Sequence, residues 1–232
     1  MRENKYRKEK YSFRTTTLSA SQTEAFKEKF TFINSTFNKY YLNKHLDVIT
    51  FPILEKMPIH QLVTFLKKHK IPKSNYDVSI SLVTEKSKDC IFVPKHVLEF
   101  LDALDCSFGF SVTYVGLNKA IKKSKYSINK HVQKNFYYSF QKSQITQQNK
   151  NLNKYSQGSV PNNHEIKIYL KKQINYKYVK NIITKFNITK MKCRLVISFK
   201  TPYDSHGLSI PEYVLNFYKR IGGDIEFKYE CI

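Results

Sequence analysis

Lys122, Lys123, Lys125, Lys130, Lys134 and Lys142 stand in a stretch, 116–164, that carries nine lysines and no acid, with Tyr137, Tyr138 and Phe140 set among them. Ammonium groups neutralise phosphates and aromatic faces stack on unpaired bases, so these residue types interleaved at this density point to RNA binding. A solvated linker whose rings pack on neighbouring sheets would use the same letters, but it has no reason to exclude every acid over so long a run. Two further basic groups flank this one. Arg2, Arg7, Lys8 and Arg14 lie at the N-terminus, and Lys171, Lys172, Lys177, Lys180, Lys185, Lys190, Lys192 and Arg194 follow the stretch.

Catalytic constellations are harder to find. The seven histidines (45, 60, 69, 96, 131, 164 and 206) form no HxxxH or HxH pair, and Cys90, Cys106, Cys193 and Cys231 show no CxxC spacing. Unpatterned cysteines read as small buried thiols. The six glycines make no phosphate-cradling loop. Leu101-Asp102-Ala103-Leu104-Asp105 has the look of a LAGLIDADG helix, yet the aligned Tyr218-Lys219-Arg220-Ile221-Gly222 lacks the carboxylate that a second metal-binding copy needs. The expectation is a binding protein with no enzyme activity, cofactor or metal, whose partners are RNA and neighbouring ribonucleoprotein subunits rather than a membrane.

The elements that must position these residues come from a duplication. Val78–Val115 aligns without a gap on Leu195–Ile232 at an offset of 117, with eight identities that include Pro94/Pro211, Val97/Val214, Leu98/Leu215, Phe100/Phe217 and Phe110/Phe227. Upstream, Ile71 meets Ile188 and Ile49 meets Ile166. The apolar period switches in the same order in both copies: a strand, a helix from about Pro58 to Lys70, a strand at 78–82, a turn, a short extended piece, a helix opened by proline, and an alternating last strand. The expected fold class is α+β, with two tandem ferredoxin-like (βαββαβ) repeats, each an antiparallel sheet with helices on one side. The expected division is a basic N-terminal arm (1–46), repeat one (47–115), a basic aromatic linker (116–164) and repeat two (165–232).

Charge is spread unevenly over that division. The net is +6, 0, +9 and +7 from first segment to last, making the total of +22. One repeat is neutral and the rest is basic, which fits a polyanion-facing surface on part of the molecule. An acidic protein partner, as in a regulatory or immunity-type binder, would meet the same charge.

EIKIYLKKQINYKYVKNIITKFN and VLNFYKRIGGDIEFKYECI, in 165–232, resemble the opening strand and helix and the closing helix, turn and strand of the tenth small-subunit ribosomal protein family, in its mitochondrial type. That resemblance implies a structural role on ribosomal RNA. A tandem ferredoxin-like basic chain also looks like the RNA endoribonucleases of the RAMP class, whose cleavage histidine would have His131 as its one candidate here. The N-terminus MRENKYRKEKYSFR has no apolar core for a secretory signal and includes Glu3 and Glu9, unlike a cleaved organelle presequence. The expected location is the mitochondrial matrix if the gene is organellar, and the cytoplasm otherwise.

Overall fold

The computed structural model describes residues 6–33, 35–40, 43–115, 132–141, 165–172, 176–185, 187–188, 193–201 and 205–231. The fold is α+β, with two mixed sheets and five α-helices among the described residues. In chain order the elements are β1 (Arg7–Thr15), α1 (Ala20–Lys29), β2 (Thr36–Tyr40), β3 (Asn43–Pro52), α2 (Ile59–Lys68), a 3-10 turn (Lys73–Asn75), β4 (Tyr76–Thr84), β5 (Lys88–Phe92), α3 (Lys95–Leu104) and β6 (Ser107–Tyr114). They continue with β7 (Gln133–Gln141), β8 (Glu165–Tyr169), α4 (Tyr176–Lys185), β9 (Cys193–Thr201), β10 (Ser205–Ser209), α5 (Glu212–Ile221) and β11 (Asp224–Cys231).

The offset of 117 maps α2, β4, β5, α3 and β6 onto α4, β9, β10, α5 and β11 with both ends of each element in register. Local chemistry repeats with it. Pro94 and Pro211 are the N-cap residues of α3 and α5, in the extended backbone region. Lys70 and Asn187 both sit at positive φ just past α2 and α4, and the amides of Ile71 and Ile188 reach back to the carbonyls of Leu66 and Ile183 at 2.9 Å. Those are Schellman-type stops, which satisfy carbonyls a helix end leaves orphaned.

The first unit (1–84, 94–113 and 205–210) holds a six-stranded sheet in the order β10-β6-β4-β1-β3-β2. Phe13 on β1 and Phe51 on β3 lie 5.0 Å apart, ring centre to ring centre, and Phe100 of α3 meets Phe13 at 5.7 Å. Phe26 of α1 packs against Phe51 and against Phe65 of α2. All these side chains are buried, so the three helices cover one face of the sheet. α1 starts at a capping box: the Gln22 amide donates to Ser19 Oγ, and the Ser19 amide donates to the Gln22 side chain.

The second unit (85–93, 114–204 and 211–232) holds a five-stranded sheet, β5-β11-β9-β7-β8. β9 and β11 run parallel, joined by α5, while the other pairings are antiparallel. Tyr138 of β7 and Tyr176 of α4 both meet Phe217 of α5, at 5.2 and 5.8 Å. Apolar β11 residues Ile225, Phe227 and Tyr229 alternate into this core.

Three expectations need correction. The segment 1–46 is more than an arm, because β1 lies between β4 and β3 and donates Phe13 to the core. Likewise 116–164 contains β7, an interior strand of the second sheet. Both strands were hidden by their composition: β1 is exposed over its first four residues, and β7 sets aromatic residues on both of its faces instead of alternating. The third correction concerns the hairpins. β4 and β5, and likewise β9 and β10, lie in different sheets. β5 pairs with β11, β10 pairs with β6, and the same hydrogen bond closes each: Val93 N to Ile225 O and Ile210 N to Phe108 O, both 2.9 Å. Glu85-Lys86-Ser87 offers no glycine or Asn-Gly pair to reverse the chain tightly after β4.

Candidate nucleic-acid interface

α4 buries Val179 and Ile182 and exposes Lys177, Lys180, Asn181, Thr184 and Lys185. Residues three and four apart on a helix stand on one side, so its basic residues form a stripe away from the core. Lys171 and Lys172, in the loop after β8, are also exposed. α5 adds Lys219 and Arg220 in its last turn, where cations suit the negative end of the helix dipole. The guanidinium of Arg220 lies 4.5 Å from the centre of the Tyr176 ring, which itself stacks on Phe217. This cation-to-ring contact ties the end of α5 to the start of α4, so the two basic groups belong to one surface.

Duplication supplies an internal control. α2 and α3 carry three cations to two acids, whereas α4 and α5 carry five cations to one acid, Glu212. At equivalent positions His60 becomes Lys177, Val63 becomes Lys180, Glu99 becomes Asn216, Asp102 becomes Lys219 and Ala103 becomes Arg220. Lys67 to Thr184 and Lys95 to Glu212 run the other way. Buried partners are kept meanwhile: Val97/Val214, Leu98/Leu215 and Phe100/Phe217 occupy the same core positions. Packing was held and surface charge diverged.

The other basic residues singled out by sequence fall into three groups. Arg2, Lys122, Lys123, Lys125, Lys130, Lys142, Lys190 and Lys192, with His131, lie outside the described residues. Lys8 and Lys134 are exposed on β1 and β7. Three arginines are committed to acids: Arg7 to Glu9, Arg14 to Asp77 by paired bonds of 3.0 and 2.6 Å, and Arg194 to Glu226 at 3.1 Å. The aromatic residues are a correction. Tyr137, Tyr138 and Phe140 are buried, 6 %, 0 % and 1 % exposed, so no ring face is left for a base. Tyr138 Oη donates to the carbonyl of Gly222 at 3.2 Å, and burial raises its pKa.

On the helix-free face of the second sheet, two glutamates engage four cations. Glu226, 4 % exposed in its side chain, faces Arg194 and Lys228 at 3.1 and 3.6 Å, while Glu230 takes Lys88 of β5 at 2.6 Å and Lys200 of β9 at 2.7 Å. Hydrogen bonds from Lys200 and Lys88 hold the Glu230 carboxyl below its usual range. Arg194 also lies over the exposed ring of Phe92, 5.6 Å from its centre. This face can hold β5 in place, and these four cations are engaged in ion pairs.

No group of three or more His, Cys, Asp or Glu able to hold a metal ion occurs among the described residues, and no helix there is long and apolar enough to cross a membrane. No family model, curated relative or solved structure matches the chain.

Proposed function

We propose that the protein is a non-catalytic RNA-binding component of a ribonucleoprotein, with the helical layer of its second unit as the principal contact surface. One observation carries the reading: within a duplicated scaffold whose core positions were kept, the exposed helix positions of one copy turned basic. Polyelectrolyte binding needs that kind of change, because each phosphate neutralised releases counterions and adds affinity without any demand on the core. Of the residues picked out by sequence, Lys171, Lys172, Lys177, Lys180 and Lys185 belong to this surface, joined by Lys219 and Arg220.

The finer readings follow from it. Each copy uses the strand, helix, two strands, helix, strand order of the ferredoxin-like plan, here with the third strand of each exchanged. That order supports the resemblance to the tenth small-subunit ribosomal protein family and hence a ribosomal particle, mitochondrial if the gene is organellar. The test is sedimentation of native extracts at low and high salt. Co-migration with ribosomal particles that is lost as salt rises is the expected result; co-migration with an RNA-free complex would instead assign the surface to an acidic protein.

A further inference from the structure

The two units differ in a second respect, on the faces of the sheets that the helices leave uncovered. In the first unit, strand register places Lys8, Lys10, Ser12 and Arg14 of β1 on one face with Val83, Ser81, Ser79 and Asp77 of β4. Phe13 and Thr15, the alternate residues, point into the core, so this is the face opposite the helices. Thr50 of β3, Ser111 and Gly109 of β6, and Gly207 and Ser209 of β10 continue it by their pairings. Ser81 and Ser111 confirm the shared side, with their hydroxyl oxygens 2.9 Å apart. The strands here are rich in small hydroxyl residues, of which Ser12 is buried, and the aromatic ring at this end is that of Tyr6, exposed just before Lys8.

Equivalence through the duplication sharpens the contrast. Gly109 and Thr113 stand where the second unit has Glu226 and Glu230, so the acids that pair with the cations of the second sheet face are missing from the first. The acid that does occur there, Asp77, is taken up by Arg14. Lys8 and Lys10 are left as exposed cations at one end of a hydroxyl-lined plane.

We propose that this uncovered sheet face is a second RNA contact surface, which takes the sugar–phosphate backbone of an RNA duplex rather than unstacked bases. The inference rests on the RNA-binding reading above and adds a site and a substrate form to it. Three features of the face carry it. The strand residues of the plane offer no row of rings for successive bases to stack on, the usual source of single-strand affinity; the one ring, Tyr6, stands at its end. Serine and threonine hydroxyls both donate and accept, so they suit phosphate oxygens and ribose 2′-hydroxyls alike. Ser79, Ser81 and Ser111 are half-exposed, with Ser12 buried between the strands, and small side chains suit the wide, shallow minor groove in which A-form RNA displays those hydroxyls. Charge complementarity comes from Lys8 and Lys10. The copies have thus specialised on opposite sides, the first on its sheet and the second on its helices.

The experiment measures affinity of the full chain for a short RNA duplex, the DNA duplex of the same sequence and an unstructured single-stranded RNA, each over a salt series. Wild type should prefer the RNA duplex to the DNA duplex. Replacing Lys8 and Lys10 together by Gln, both exposed and outside the core, should flatten the duplex salt slope by roughly 1.5 units, two phosphate contacts' worth. Ser79→Glu, which sets an acid in the middle of the plane, should weaken duplex RNA binding by about tenfold while leaving single-strand binding within twofold, provided the melting temperature is kept. An unchanged slope in K8Q/K10Q, while Lys177→Gln with Lys180→Gln still flattens it, overturns the sheet-face site and leaves the helical one. Equal affinity for the two duplexes overturns the ribose contact. Absence of RNA binding by wild type overturns both readings.

Discussion

At the scale of single residues, Gly223 stands where no side chain fits. Its φ is +102°, and a Cβ there would lie 2.6 Å from the carbonyl oxygen of Cys193 and 3.3 Å from the Tyr138 hydroxyl. Gly223→Ala must therefore bear a strained backbone and push apart the end of β9, so it should cost about 2 to 3 kcal/mol or more, read as a lowered urea midpoint with unchanged slope. Tyr138→Phe removes only the hydroxyl bonded to Gly222 and should cost about 1 kcal/mol. RNA affinity should be unaffected by it, since the ring is enclosed; a large loss of binding would return Tyr138 to the interface. Glu230 gives a dependence on pH. Its folded pKa is depressed, so its contribution is complete above the unfolded carboxylate range near pH 4 and disappears as pH falls through the folded value. Glu230→Gln should accordingly destabilise the protein at neutral pH and shrink the difference from wild type in strong acid, measured by chemical unfolding at both pH values. A constant difference would show that the lysines at Glu230 contribute nothing through charge.

Among the elements, α4 decides the functional reading. Lys177→Gln with Lys180→Gln should lower the slope of log affinity against log salt by roughly 1.5 units, with the melting temperature unchanged because both side chains are exposed. This helix was legible from sequence, as were α2, α3, α5 and the strands between them, because Leu62, Phe65 and Leu66 or Val97, Leu98 and Leu101 keep a helical period and the duplication reads each signal twice. What escaped was whatever the duplication does not align at 117. β1 and β7 correspond at an offset of 126, and each is atypical: RKEKYSFRT is polar for half its length, and the inward side of QKNFYYSFQ is aromatic while its outward side also holds a buried Tyr137. The Ser19-to-Gln22 spacing was a usable sign of α1. Lys10 lies two residues from Lys8 and so shares its face, a parity already present in the sequence. The helical half of the site was legible as a basic run, but its coherence depends on the contact of Arg220 with Tyr176, which no spacing reveals.

For the molecule as a whole, reciprocal loan of β5 and β10 means that neither half of the sequence contains a complete sheet. Residues 132–232 made alone lack β5, and residues 1–115 lack β10, so each should fail to unfold cooperatively; mixing the two should restore a single transition. A cooperative, native-like 132–232 fragment would show that β5 is dispensable. The loan also has a consequence in time. Translation adds roughly 5 to 20 residues per second, and the stretch between the end of β6 at 114 and the start of β10 at 205 takes about 5 to 20 seconds to make. Throughout that interval β6 has an unpaired outer edge, the kind of edge that recruits strands from other chains. Slowing synthesis within 116–164 by rare codons should therefore raise the aggregated fraction of newly made chains, and supplying a peptide of sequence SHGLSI during synthesis should lower it again.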